Sequence, residues 1–265
     1  MLRARLATAA VAIPLLLGLF LYGPFWAFTG FVAVIAMLGI GEHAAMAFPD
    51  APGTRAVALG AGALIVVAVL SGRPDSVVAA LLVVLFSLCT WVLLVAPDFR
   101  EGYRDVGWML PGVLSVGLFL PHFALLQQVP DEGRYLAVFT VAVGMAGDSS
   151  GYFVGRELGR HKLIPGVSPG KTIEGSLGIV AGSIAAALLC RWWILPTWGW
   201  MEIALVATVM SVLGQIGDLS VSVVKRTFGA KESGWLFPGH GGVLDRIDSL
   251  LFPVAFLYYY VSLLR

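Results

Sequence analysis

The run VVAALLVVLFSLCTWVLLVA, residues 77–96, decides the fold class of this chain. It holds no charged residue, and a helix of that length crosses a hydrocarbon core about 30 Å thick. Apolar residues follow one another without a period of two, so the pattern is that of a helix and not of a barrel strand. Similar runs lie on both sides of it. Read outward, they give nine spans: Leu6 to Tyr22, Phe25 to Ile40, Ala56 to Leu70, Val77 to Ala96, Val106 to Leu126, Tyr135 to Gly155, Gly175 to Leu195, Ile203 to Val224 and Val243 to Leu264. The chain therefore reads as an all-α, polytopic integral membrane protein with about nine transmembrane helices.

Composition agrees with this reading. The chain is 58% hydrophobic and 12% charged, whereas soluble domains carry about 25% charged residues. MLRAR ahead of the first run has the look of a signal peptide, but no cleavage site follows and the run reads as the first membrane helix. The two cysteines, Cys89 and Cys190, sit singly inside apolar runs and read as packing residues. The net charge of +1 says nothing about a nucleic-acid partner, and no basic tract resembles a nucleic-acid-binding one, so none is expected. No repeat or linker divides the chain, which reads as one membrane-embedded domain over 1–265. Spans in 1–130 serve as scaffold, as a lateral wall or as a homodimer contact, and spans in 131–265 carry the polar cluster.

Orientation follows from the distribution of Lys and Arg. With the N-terminus in the cytoplasm, one side holds Arg3, Arg5, Arg55, Arg100, Arg104, Arg156, Arg160, Lys162, Lys171, Lys225, Arg226, Lys231 and Arg246. The other side holds only Arg73, Arg134, Arg191 and Arg265, which completes the 17. Both segments rich in chemical side chains, Gly147 to Glu174 and Asp218 to Asp248, then face the cytoplasm, where nucleotides and magnesium are available.

Ionisable groups at a membrane boundary are costly and point to function. Asp218, Ser222 and Lys225 are spaced i, i+4 and i+7 and share a helix face, with Arg226 one position round. FPGHGG follows, a turn set by Pro238 with Gly239, Gly241 and Gly242 around His240. Its N–H groups, ahead of a helix, can cradle phosphate oxygens. The next span opens LDRIDS, with Asp245 and Asp248 on one face and Arg246 off it. With Asp218 they offer the hard oxygen donors that Mg²⁺ takes alongside water and substrate phosphates. Pairing of these aspartates with Lys225, Arg226 and Arg246 alone is the competing structural reading.

Upstream, Asp148 ends the sixth run, and SPGKTIEG supplies Ser168, Lys171 and Thr172 for holding phosphates at a helix start, with Glu174 as a cap or a ligand support. The spacing of a Walker loop is not met, because Pro165 stands where its first glycine would be.

These two clusters, in this order, resemble the phosphatidate cytidylyltransferase (CDP-diacylglycerol synthase) family. Ser222, Lys225, Arg226, Lys231, Gly234, then PGHGG at 238–242, then Leu244, Asp245, Arg246 and Asp248 stand where that family's signature has them, and DSSGYFVGRELGRHKL with SPGKTIEGS resembles its second block. The sequence departs from the pattern at Glu232, where aspartate is usual, and at Gly170, where lysine or asparagine is common. The likeness is specific over Gly147 to Asp248 and rests on hydropathy and length elsewhere.

The resemblance implies a bacterial cytoplasmic-membrane enzyme that transfers the cytidylyl group of CTP to phosphatidate, releasing pyrophosphate. It implies Mg²⁺, with a second ion as a variant, on Asp218 and Asp245, and Asp248 and Asp148 as further candidates. Lys225, Arg226, Lys171 and Ser168 would bind phosphates, aided by Thr172, Ser222, Lys231, Gly239, Gly241, Gly242 and Arg246, while His240 would position or stabilise charge. A cavity lined by the last four spans would admit the lipid. The alternatives are a CTP-dependent enzyme on another membrane lipid, such as an ether lipid or a polyprenol, and a transporter using its aspartates as coordination sites.

Overall fold

The computed structural model describes residues 14–96, 98–236 and 241–265. The described chain is helical throughout, apart from one small hairpin. In order, the elements are α1 (residues 14–22), α2 (Phe25–Ala47), α3 (Pro52–Leu70), α4 (Pro74–Leu94), α5 (Phe99–Phe119), α6 (His122–Gln127), α7 (Gly133–Leu158), β1 (Lys162–Ile164), β2 (Ser168–Thr172), α8 (Ile173–Trp193), α9 (Trp200–Thr227), α10 (Leu244–Ile247) and α11 (Leu251–Leu264).

Six of these segments are long and apolar enough to cross a membrane: α2, α3, α4, the α5–α6 unit from Phe99 to Gln127, α8 and α9. Their outward faces keep large apolar side chains exposed, among them Leu82 at 63%, Phe86 at 73% and Trp193 at 83%. Such surface is stable against lipid, which is as apolar as the side chains themselves. The chain is thus an all-α integral membrane protein. The segment from residue 1 to 13, which carries most of the first expected span, lies outside the described residues.

Local chemistry explains most boundaries. Proline opens α3 and α4, where its missing N–H is not needed. Asp98 caps α5 by accepting from the N–H groups of Arg100 (2.8 Å) and Glu101 (3.1 Å). Pro121 separates α5 from α6, which share one membrane segment. α7 runs 26 residues but carries Asp148 and its serines, and it is not among the six.

Two expectations are corrected. The ninth span, Val243 to Leu264, is not one helix. It is a four-residue α10 and a 14-residue α11, separated at Asp248–Leu250. The break lies against α9, where a Cβ on Gly214 would come within 2.8 Å of the Ser249 carbonyl oxygen. The phosphate-loop candidate at Ser168, Lys171 and Thr172 is not simply a loop before a helix. It is strand β2, paired antiparallel with β1 so that Lys162 opposes Thr172 and Ile164 opposes Ser168.

Sequential helices put the bundle's connections at two ends. At one end, Arg265 meets Glu132 (2.6 Å), Thr197 (2.8 Å) and Glu202 (3.4 Å), and Trp198 Nε1 donates to Glu132 (3.1 Å). The hairpin, the end of α9 and α10 lie at the other end, beside the end of α2.

Candidate active site

α7 and α8 pack closely enough to deliver the hairpin to α9. Small residues make this approach feasible: a Cβ on Gly178 would sit 2.7 Å from the Val154 Cβ. Thr172 is the N-cap of α8 and accepts from Gly175 N (3.1 Å). Glu174 is not the cap of α8, which is Thr172. Its carboxylate accepts from the N–H groups of Arg160 (3.0 Å) and His161 (3.2 Å) and pairs with His161 Nδ1 (2.6 Å). It thereby fastens the segment leading into β1. Lys162 Nζ closes the hairpin on Pro169 O (2.8 Å).

So held, β2 points Lys171 across to α9, where its ammonium lies 2.5 Å from Asp218 Oδ2. Ser222, one turn along, donates to Asp218 Oδ1 (3.3 Å), as its i+4 spacing predicts. Two clusters separated by 47 positions in the chain are therefore one site. Arg226 is exposed and also joins them: its guanidinium donates to Val167 O (3.3 Å) in the hairpin turn and to Ala230 O (3.0 Å). Lys231, Arg246 and Pro169 are exposed, and Ser168 is half-buried.

Lys225 does not pair with Asp218, although both lie on α9. It reaches Asp245 Oδ1 on α10 instead. Asp245 Oδ2 accepts from Ser233 N (2.8 Å), Ser233 Oγ (3.0 Å) and Gly242 N (3.1 Å). The Gly242 amide, expected to cradle phosphate, is thus turned toward Asp245 in this structure. Gly241 has a φ of +78°, a left-handed conformation that suits glycine, and a Cβ there would press on the Asp245 carboxylate. Gly239 and His240 lie outside the described residues.

Asp248, three positions after Asp245, is buried at 7% exposure. Among the described residues its carboxylate takes one hydrogen bond, from Ser249 N (2.7 Å). It lies within electrostatic range of Asp218 and Asp245, and Asp148 within range of Asp218. Ser249 Oγ donates to Asp148 (3.2 Å), which ties α7 to the break before α11. Asp148 and Asp248 each lie within electrostatic range of Asp218, which Lys171 meets directly, and among the described residues no three carboxylate, histidine or cysteine groups stand close enough together to hold a metal ion.

The chain matches the cytidylyltransferase family over residues 3–264. It belongs to that family. Among curated relatives, it is 40% identical over 179 residues to a phosphatidate cytidylyltransferase of Brucella abortus biovar 1 (strain 9-941), covering 68% of this chain and 65% of that protein. It is 36% identical over 177 residues to one of Bacillus subtilis (strain 168), covering 66% and 65%. A third, of Staphylococcus epidermidis (strain ATCC 12228 / FDA PCI 1200), is 37% identical over 158 residues, 60% of each chain. The matched region thus spans less than two thirds of the length of these relatives, 65% of the first two and 60% of the third.

For a member of the cytidylyltransferase family, two features escaped the sequence. Glu42, near the end of α2, accepts from Val243 N (2.8 Å), Leu244 N (2.9 Å) and Ser233 Oγ (2.8 Å). A carboxylate beside a histidine in the apolar run GIGEHAAMA was the available signal. The other is a cavity of about 530 Å³ lined by His43, Pro111, Ser115, Phe119, Val221 and Phe252, among others. It was expected among the last four spans, but α2 and α5 form one of its sides. His43 there hydrogen-bonds Trp108 O (2.7 Å).

Proposed function

We propose that this chain transfers the cytidylyl group of CTP to phosphatidate, giving CDP-diacylglycerol and pyrophosphate, at the cytoplasmic face of a bacterial membrane. The observation that carries the reading is the junction of Lys171 with Asp218 beside the buried, sparsely bonded Asp248. It unites the family's two polar blocks at one end of an apolar bundle. The distribution of Lys and Arg supports placing that end inside the cell.

We propose Mg²⁺ as the ion of this site. Among the described residues no three carboxylate, histidine or cysteine groups could hold a metal by themselves, but Mg²⁺ commonly takes one or two carboxylates with substrate phosphates and water. Asp218 and Asp248 would hold it, flanked by Asp148, whereas Asp245 already takes four hydrogen bonds from Lys225, Ser233 and Gly242. When bound, the ion neutralises charge on the phosphates of the nucleotide.

The chain's own groups account for the rest. A phosphatidate oxygen attacks the α-phosphorus of CTP, the bond to the bridging oxygen of the β-phosphate breaks, and pyrophosphate leaves with that electron pair. The attacking oxygen is already ionised near neutral pH, so no strong base is required. Lys171, at the tip of the hairpin's reach, can exchange its aspartate for a phosphate. Arg246 and Lys231, both exposed at the same end, add positive charge for anions that would otherwise repel one another. Gly217, Ser220, Val221 and Val224 line the apolar cavity on the α9 face adjoining that of Asp218 and Ser222. The cavity's volume falls within the range of ligand pockets. It would shelter acyl chains while the headgroup reaches the rim, which spares the lipid about 0.8 kcal/mol per CH₂ of exposure to water.

The test is release of pyrophosphate from CTP by the purified protein with a panel of phosphorylated lipids. Phosphatidate should support it, chelation of divalent ions should abolish it, and Asp218→Asn should lower the rate by about a hundredfold or more with normal membrane insertion. Turnover on an ether-linked or polyprenyl lipid alone, or formation of CDP with a phosphorylated lipid, would replace this reading with another.

A further inference from the structure

Glu42 belongs to the half of the chain expected to be scaffold, yet its carboxylate is spent on the catalytic half. Oε1 accepts from Val243 N and Oε2 from Leu244 N, the two amides at the start of α10. Oε2 also accepts from Ser233 Oγ, more than 190 positions away in sequence. The same hydroxyl stands 3.0 Å from Asp245 Oδ2. A hydroxyl has one proton, so Ser233 bridges two carboxylates and donates to one of them at a time. The surrounding backbone is shaped to this group: a Cβ on Gly234 would lie 2.6 Å from Glu42 Oε1, and one on Gly242 would overlap Oε2. Glycine at both places lets the chain close around the carboxylate.

α10 is only four residues long, too short to hold its own position, since isolated helices of that length are unstable. It carries Asp245 and is capped by Asp248. Whatever anchors Val243 and Leu244 therefore sets where both aspartates stand against Asp218 of α9. We propose that Glu42 is a positioning residue for the reaction: it clamps the start of α10, and Ser233 beside it, so that Asp245 and Asp248 meet the α9 face. This role rests on the cytidylyl-transfer reading for its kinetic consequence, but the clamp itself is a property of the folded chain.

Glu42→Gln keeps the size of the side chain and leaves one acceptor oxygen where two served three donors. At least one backbone amide of α10 then loses its partner, the kind of loss that changes rates about tenfold or more. Amide exchange measured on the substrate-free protein should accelerate in Glu42→Gln at Val243 and Leu244 and remain at the wild-type rate in α3 and α8. The kcat/KM for CTP should fall about tenfold or more, with the KM for phosphatidate within about twofold of wild type. Ser233→Ala, which removes one anchor and leaves both amides bonded, should shift exchange and kcat/KM in the same direction by less, and it serves if Glu42→Gln does not accumulate. Wild-type exchange at 243–244 in the variant overturns the clamp. Faster exchange throughout, with both KM values raised alike, reduces Glu42 to a general structural residue and overturns the positioning role. A wild-type protein that makes no CDP-diacylglycerol overturns the reaction instead, and the exchange measurement still decides whether the clamp exists.

Discussion

The Lys225 and Asp245 side chains keep 11% and 8% of their surface exposed, against 24% and 29% for Lys171 and Asp218. Solvent screens the second pair far more than the first, and the two lysines should respond differently to the same change. Lys225→Met leaves Asp245 charged and nearly enclosed, with hydrogen bonds from Ser233 and Gly242 only; breaking a buried pair in this way costs about 3–5 kcal/mol. Lys171→Met removes a partly exposed ion pair, worth about 1 kcal/mol or less, and its penalty should appear in the reaction as a raised KM for CTP. Thermal unfolding in detergent, followed beside CTP kinetics, separates the two. Lys225→Met should melt well below wild type and regain stability when combined with Asp245→Asn, while Lys171→Met should melt near wild type. Equal losses of stability in both would mean that the Lys171 contact is as structural as the Lys225 one.

At the scale of elements, the end of the bundle away from the site is tied by Glu132, with Glu202 as a second partner of Arg265. Glu132, just ahead of α7, takes hydrogen bonds from Thr197, Trp198 and Arg265 and so joins α7, the α8–α9 turn and the end of α11. Partial burial works to raise its pKa, but the hydrogen bonds and the guanidinium prevail and hold the carboxyl below its ordinary value of 4.5. A carboxyl shifted downward contributes stability that is complete above the unfolded-state value and fades as pH falls through the folded one. Melting temperature should therefore drop more steeply in wild type than in Glu132→Gln as pH is lowered from about 5 to about 3; parallel curves would remove Glu132 from the account. None of this latch was legible in the sequence, where Glu132 is one of three charges in PDEGR between apolar runs and Arg265 stands more than 130 positions away. Local signals did place most long helices, since twenty apolar residues have one comfortable arrangement in lipid. They also put Asp218 and Ser222 on one face, where the structure has them. The break before α11 did carry a local signal in VLDRIDSLLFPVAF, since Pro253 in the first turn of α11 cannot donate to Ser249 O, and Gly214 and Gly217 let α9 lie close against it. Local signals failed where distant contacts decide. The hairpin is held by Glu174 and Lys162 and not by strand-forming side chains. Lys225 chose Asp245 over the aspartate on its own helix for the same reason.

The molecule as a whole separates its polar chemistry from its anchoring. Hydropathy alone conveyed that the chain lives in a bilayer, and the alternation of helices then sends the hairpin, the end of α9 and α10 to one end and the Glu132–Arg265 latch to the other. Which end faces the cytoplasm is set by the bias of Lys and Arg, and thiol labelling can read it directly. The native thiols, Cys89 and Cys190, sit within α4 and α8; replacing both with alanine gives a background for single cysteines at Gly166, in the exposed hairpin turn, and at Asp131, exposed beside the latch. In intact cells a membrane-impermeant maleimide should reach Asp131→Cys and spare Gly166→Cys until the membrane is opened. The two sites report on opposite ends, so a single inverted molecule would exchange their labelling while a leaky membrane would label both. Labelling of Gly166→Cys alone in intact cells would put Lys171 and Asp218 on the side without CTP, and cytidylyl transfer by this chain could not then draw on the cell's nucleotide.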